Sequence, residues 1–211
     1  AGTRLERRLL AACTTSPDLV DRYLRPLDDR HFDSDLHRRL RAHLVDGGEA
    51  DGDLVAAVAE LRATAAADQL EEEGISWKYY ANENAWMNVL QMIRHVRYGP
   101  MWKKVQPPET FVKDVKQGEM PAVSWIIPSE SYNEHPGAGK STCAGENWTV
   151  HQINTIMRSE YWRSTAIVVV WDDFGGFYDP VEPPQFDVMG LGPRTPALII
   201  SPYARQGSNL D

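Results

Sequence analysis

The sequence predicts an α/β fold: a partial, mostly parallel sheet with flanking helices, preceded by an all-α segment. Three observations carry this. After about residue 74, short apolar runs alternate with helical patterns, as for strands buried on both faces of a parallel sheet. Before that point the chain has helical spacing throughout. The composition also changes near residues 63–70. All seven Trp lie between Trp77 and Trp171, and all six Lys lie from Lys78 onward. The first 68 residues hold ten Arg and 12 Ala. The expected organisation is a helical segment over 1–67 and an α/β domain over 68–211.

The elements follow in order. Leu5, Leu9 and Leu10 make an apolar stripe on a first helix. In "TTSPDLVDRYL", Ser16 is a candidate N-cap and Pro17 a first helical residue. Ser34 can cap a helix carrying Leu36, Leu40 and Leu44, which stops at Gly47-Gly48. Asp51 or Asp53 opens another, with Leu54, Val58 and Leu61 inward, running unbroken to Gly74. Beyond it, "GISWKYYA" predicts a strand. "NENAWMNVLQMIRHVRYG" predicts a helix with Trp86, Leu90 and Ile93 on one face. A helix is expected in "PPETFVKDVKQG" and another in "NWTVHQINTIMRS". Strands are expected in "MPAVSWIIP", "TAIVVVW" and "TPALIISPY".

Bulk properties narrow the function. A net charge of −8 argues against a general nucleic-acid-binding surface. No run of 18 apolar residues supplies a membrane span, and no signal peptide pattern opens the chain. Cys13 and Cys143 are too far apart to make a metal motif and too few for a disulfide framework. Each reads as a buried or surface thiol.

In open α/β sheets the working residues lie beyond the carboxyl ends of strands. One such place is "SWIIPSESYNEHPG", whose loop holds Glu130, Glu134 and His135. The other is "VVVWDDFGGFYDP", which sets Asp172 beside Asp173. Adjacent carboxylates repel unless a cation or hydrogen-bond donors offset the charge. A divalent ion would suit them; so would an acidic turn with Asp173 capping and Asp172 solvated. "PGAGKST" ends like a phosphate-binding loop, but that loop needs glycine where Glu134 stands, and nucleotide binding is rejected. His31, His37 and His43 recur every six residues, a turn of about 240° on a helix. They do not face one ligand and read as half-exposed. His95 and His151 read as structural.

Long ordered motifs add a resemblance. They are "DQLEEEGISWKYY", "VRYGPMWKKV", "PPETFVKDVKQGEMPAVSWIIPS", "NEHP", "GENWTVHQINTIMRSEYWRSTAIVVVWDDFGGFYD" and "GLGPRTPALIISPYARQG". Residues 68–211 resemble the C-terminal half of the bacterial phosphoesterase family, which holds phospholipases C and acid phosphatases of the alkaline phosphatase superfamily. The resemblance implies an alkaline-phosphatase-like core remnant. It implies metal-dependent hydrolysis of phosphate esters, phospholipid head-group esters among them, through a Ser or Thr nucleophile and a phosphoenzyme. It makes Asp172 and Asp173 ligands of a divalent metal ion and sets His135 at the phosphate. Members of the family are often exported.

The departures from the family pattern are also plain. The family's Glu-Asn-x-x-Phe-Asp motif, which gives two further metal ligands, and its nucleophile loop are not found, and Pro180 stands where many relatives carry His. The implied activity is therefore impaired and the metal weakly held. Residues 1–67, through "LERRLLAACTTSPDLVDRYLRPLDDRHFDSDLHRRLRAHLVDGG", resemble the helicase-binding C-terminal region of bacterial DNA primase. The alternative reading is thus a non-catalytic chimeric chain whose helical part contacts a replicative helicase.

Overall fold

Helix-forming sequence dominates the first third of the chain, and the helices form there. The computed structural model describes residues 2–15, 17–47, 52–136, 141–185, 191–205 and 207. Ser16, Gly48, Asp51 and the Gly139-Lys140 pair lie outside the described residues. Helix α1 spans Gly2–Thr15 and α2 spans Pro17–Leu19. The latter passes into a π-helical stretch, Val20–Leu24, closed by Arg25 N–H donating to the Val20 carbonyl at 2.8 Å. Helix α3 is Asp35–Asp46 and α4 is Gly52–Glu72. The compositional change near residues 63–70 therefore falls inside one continuous helix.

Three strands follow: β1 Trp77–Tyr80, β2 Val105–Gln106 and β3 Val123–Ile126. They form a sheet in the order β2-β1-β3. Val123 N–H donates to the Ser76 carbonyl, and Ile127 N–H to that of Tyr80. Each partner advances by four residues in the same direction, so β1 and β3 are parallel. Short helices α5, Arg94–Arg97, and α6, Glu109–Gln117, intervene, and α7 spans Thr142–Met157. Strands β4, Ile167–Val170, and β5, Ala197–Ile200, close the order.

The chain divides into two compact units. The first comprises Ala1–Tyr79, Trp86–Val105 and Pro121–Ser124. Its core is built by the helices: Leu10, Leu24, Phe32, Leu40, Leu54 and Leu61 are all buried together. Burying each such side chain is worth about 1.5–3 kcal/mol. Ser34 caps α3 as expected, accepting from His37 N–H at 3.0 Å, and Gly47 ends it at φ +71°. A glycine suits that left-handed φ because it has no Cβ to clash.

His37 corrects the expectation of a half-exposed histidine. It is buried on α3, its Nδ1 lying 2.8 Å from Glu6 Oε2 on α1. Asp33 N–H donates to the same carboxylate oxygen. Desolvation pushes the Glu6 pKa up, but the His37 and Asp33 hydrogen bonds and the His37 charge outweigh it and leave it lowered.

The helix expected over 82–99 is also corrected. The segment forms a 3-10 turn, Val89–Met92, and then the four-residue α5. Asn88 is fully buried at φ −83°, ψ +87°, outside the helical region. Three Asn in seven residues compete with helical bonding through their side-chain amides. Leu90 and Ile93 are buried, whereas Trp86 is 60% exposed.

The second unit comprises Tyr80–Ala85, Gln106–Met120 and Trp125–Asp211. Its core joins Tyr80, Phe111, Val115 and Ile156, with Ile126, Trp162 and Ile167 against it. Tyr80 meets Phe111 edge to face at 5.3 Å, and its hydroxyl donates to Asp114 Oδ2 at 2.6 Å. Gly118 ends α6 at φ +76°.

Strands β4 and β5 depart from the reading of strands buried on both faces. They form a separate antiparallel pair, with Ile167 opposite Ile200 and Val170 opposite Ala197. Val168 and Ile199 face each other across it, 60% and 58% exposed. Burial alternates along β4, so it has one covered face. No described helix is long and apolar enough to cross a membrane.

Candidate active site

The two loops singled out by sequence lie in the second unit, and the fold brings them into contact. β3 runs out through Pro128 into a 3-10 turn, Glu130–Tyr132, and then into Asn133-Glu134-His135-Pro136. β4 runs out through Trp171 into Asp172 and Asp173. Trp171 Nε1–H donates to Glu134 Oε2 at 3.4 Å. Gly175 stands so close to the first loop that a Cβ on it would lie 3.6 Å from Pro136 Cγ. Tyr132 stacks on Trp148 of α7 at 6.2 Å, a further contact that steadies the same loop.

Asp172 and Asp173 are exposed at the strand end. Asp173 Oδ1 accepts from Gly175 N–H at 2.6 Å, an Asx turn made possible by glycines at φ +67° and +76°. Its Oδ2 is not used in that turn. The pair offers hard oxygen donors of the type a divalent cation takes. Among the described residues, however, no three His, Cys, Asp or Glu side chains gather as a metal site. The two carboxylates do not complete a site by themselves.

His135 is exposed, and its backbone N–H donates to Asn133 Oδ1 at 3.1 Å. Its Nδ1 lies 2.9 Å from the Pro136 carbonyl, an acceptor. Nδ1 therefore carries the proton, and acid–base work falls to Nε2. Cys13 is buried and Cys143 exposed, both as free thiols.

Three connections are not legible in the sequence. Glu134 is one of two carboxylates in its loop, with nothing to mark its link to Trp171. Asp179 of "GGFYDP" pairs with Arg194 of "GLGPRTP" and ties the two motifs together. Opposite charges inside two long motifs are the available signal. Tyr80 and Asp114, 34 residues apart, give none.

A cavity of about 460 Å³ lies elsewhere in this unit, lined by Lys116, Gly118, His151, Asn154 and Arg158 among others. Its cations sit at the carboxyl ends of α6 and α7, where the helix dipole favours positive charge. The candidate catalytic residues do not line it.

Comparison with known proteins gives these motifs a family. The phosphoesterase family matches residues 10–211. Phospholipase C A of Mycobacterium tuberculosis strain H37Rv is 29% identical over 181 residues, covering 65% of this chain and 34% of that protein. The non-hemolytic phospholipase C of Burkholderia pseudomallei is 32% identical over 127 residues, 47% of this chain and 18% of that one. Non-specific phospholipase C1 of Arabidopsis thaliana is 26% identical over 170 residues, 67% and 30% respectively. The chain thus spans about a third or less of the length of these relatives.

The comparisons do not support the likeness to primase, nor the helicase contact expected from it. The family match begins at Leu10, inside α1, and takes in most of the segment that carried that likeness. Leu, Arg and Ala at helical spacing suit many helix packings, so the pattern by itself singles out no one family. From Leu10 to its last residue, this chain belongs to the phosphoesterase family.

Proposed function

We propose that this chain serves hydrolysis of phosphate esters of the phospholipase C type, with phospholipid head-group esters as the substrate class. One observation carries the reading: the His135 loop and the Asp172–Asp173 strand end, far apart in sequence, meet through Trp171 and Glu134. The names of the relatives point the same way.

In this reading Asp172 and Asp173 donate oxygens to a divalent ion. That ion, when bound, neutralises charge on the phosphoryl oxygens and activates the attacking group. The chain's own part is positional and acid–base. The Asx turn at Asp173 fixes that carboxylate relative to the strand, leaving Oδ2 as its outward donor. With Nδ1–H held by the Pro136 carbonyl, the imidazolium form of His135 gives its Nε2 proton to a phosphoryl oxygen or to the departing alkoxide. The family's nucleophile loop has no match in these 211 residues. Turnover by them is therefore expected to be slow.

The test is release of p-nitrophenolate from p-nitrophenylphosphorylcholine with Ca²⁺, Mn²⁺ or Zn²⁺ present. Metal-dependent turnover above background, lost in Asp172→Asn and in His135→Ala, supports the reading. A chain that neither binds these ions by calorimetry nor releases product overturns it.

A further inference from the structure

Glu134 is held in an unusual way. Among the described residues it is the one non-glycine with positive φ, at +59°. L-residues pay roughly 1–2 kcal/mol for that conformation, so the surroundings must hold it. Its side chain lies flat on α7 at Gly145. A Cβ built on Gly145 would stand 2.1 Å from Glu134 Cγ and 2.3 Å from Oε1, closer than atoms approach. Its Oε2 then accepts from Trp171 Nε1–H. One side chain thus touches a helix, its own strained loop and the strand end. Trp171 immediately precedes Asp172, and Glu134 immediately precedes His135.

We propose that Glu134 is a positioning residue that locks the His135 loop to the Asp172–Asp173 strand end, with Trp171 as its catch and Gly145 as its seat. The proposal rests on the phosphoesterase reading of this site and adds a residue to it. Glu134 is not assigned contact with the phosphate. Its work is to keep two separately carried groups in register, where an error of about 1 Å costs on the order of a hundredfold in rate. Packing alone would be better served by a neutral side chain. What the carboxylate supplies is an acceptor for the indole N–H, four bonds out from its Cα.

The experiment compares Glu134→Ala, Glu134→Gln, Trp171→Phe and Gly145→Ala on the full chain. The readouts are the NMR signals of the His135 ring and the Gly175 amide, together with kcat and KM on p-nitrophenylphosphorylcholine. Glu134→Ala and Trp171→Phe are expected to move the same signals in the same direction. The double variant should add nothing further, because both remove one interaction. Glu134→Gln keeps an amide oxygen for the indole and should return the signals to wild-type positions. Gly145→Ala should reproduce Glu134→Ala by unseating the side chain. Turnover should fall about tenfold to a hundredfold with KM within about twofold. Signals unmoved by Glu134→Ala, or a lowered melting temperature without the shared shift and the Gln rescue, overturn the proposal. A wild-type chain with neither ion binding nor turnover sinks the phosphoesterase reading instead, and the NMR comparison still decides the role of Glu134.

Discussion

Arg194 lays its guanidinium fork on the Asp179 carboxylate, Nε on Oδ2 at 2.9 Å and Nη2 on Oδ1 at 2.8 Å. The Arg194 and Val181 backbone N–H groups add two more donors at 3.0 Å each. The Arg194 side chain, then these two amides, hold the Asp179 pKa well below the usual carboxylate range. A lowered folded pKa means stability that is complete above the unfolded value of about 3.9 and lost as pH falls toward the folded one. An NMR titration of the Asp179 carboxyl carbon is expected to show its midpoint below about pH 3.9. A midpoint at or above that value contradicts the linkage. Asp179→Asn should abolish the acid-range shift of the Arg194 Nε–H signal.

The Glu6–His37 pair joins α1 to α3 inside the helical core. His37→Ala leaves a buried carboxylate without its main partner. The cost is expected to be about 1–3 kcal/mol in urea unfolding. Glu6→Gln/His37→Gln, which replaces a charged pair with a neutral one, should cost less than the sum of its single changes. Additive losses would show that the two side chains do not act together.

Burial, with the hydrogen bond to Asp114 behind it, raises the Tyr80 pKa far above its ordinary value, and burial pushes Tyr79 up to about 12. While the chain is folded, these two of its eight tyrosines should not ionise below about pH 11. Absorbance near 295 nm measures this directly, and Tyr80→Phe should leave the titration amplitude over that range unchanged. The same variant removes the Tyr80 hydroxyl from Asp114 Oδ2, with an expected loss of about 1–3 kcal/mol.

Gly118 closes α6 in the left-handed region, with room for a methyl group. The nearest atom to a Cβ placed there is Tyr161 Oη, at 3.9 Å. Gly118→Ala therefore tests backbone strain without steric overlap. It is expected to cost about 1–2 kcal/mol, and Gly118→Asn less. Equal losses for the two would point to packing as the cause.

Local chemistry explains what the sequence disclosed. Ser34 and Gly47 bracket α3 because a hydroxyl can cap and a glycine can turn left-handed, and both are properties of single residues. The four longer strands coincide with the short apolar runs that begin near Trp77, Val123, Ile167 and Ala197. "NEHP" and "WDD" were legible as loops at the carboxyl ends of strands, whereas their meeting through Glu134 and Trp171 was not. What stayed hidden depends on partners far along the chain. His37 reads as surface until Glu6, 31 residues upstream, reaches it. β4 reads as doubly buried because Val and Ile look alike whichever strand pairs with them, and antiparallel pairing with β5 is fixed by tertiary structure. The helix expected at 82–99 had the right apolar spacing and the wrong polar residues, and Asn88 in the interior prevailed over Trp86.

The β4–β5 pair carries a consequence for how this protein is handled at the bench. Val168, Val170, Leu198 and Ile199 are each more than half exposed in the native state, and none of them carries charge. A hydrophobic dye such as anilinonaphthalene sulfonate will bind the folded chain there. Dye fluorescence, the customary sign of a loosened core, will thus be bright before anything has unfolded. Near-ultraviolet circular dichroism reports the buried aromatics Trp77, Tyr79 and Tyr80 instead, and it is the signal in which loss of native packing will be visible.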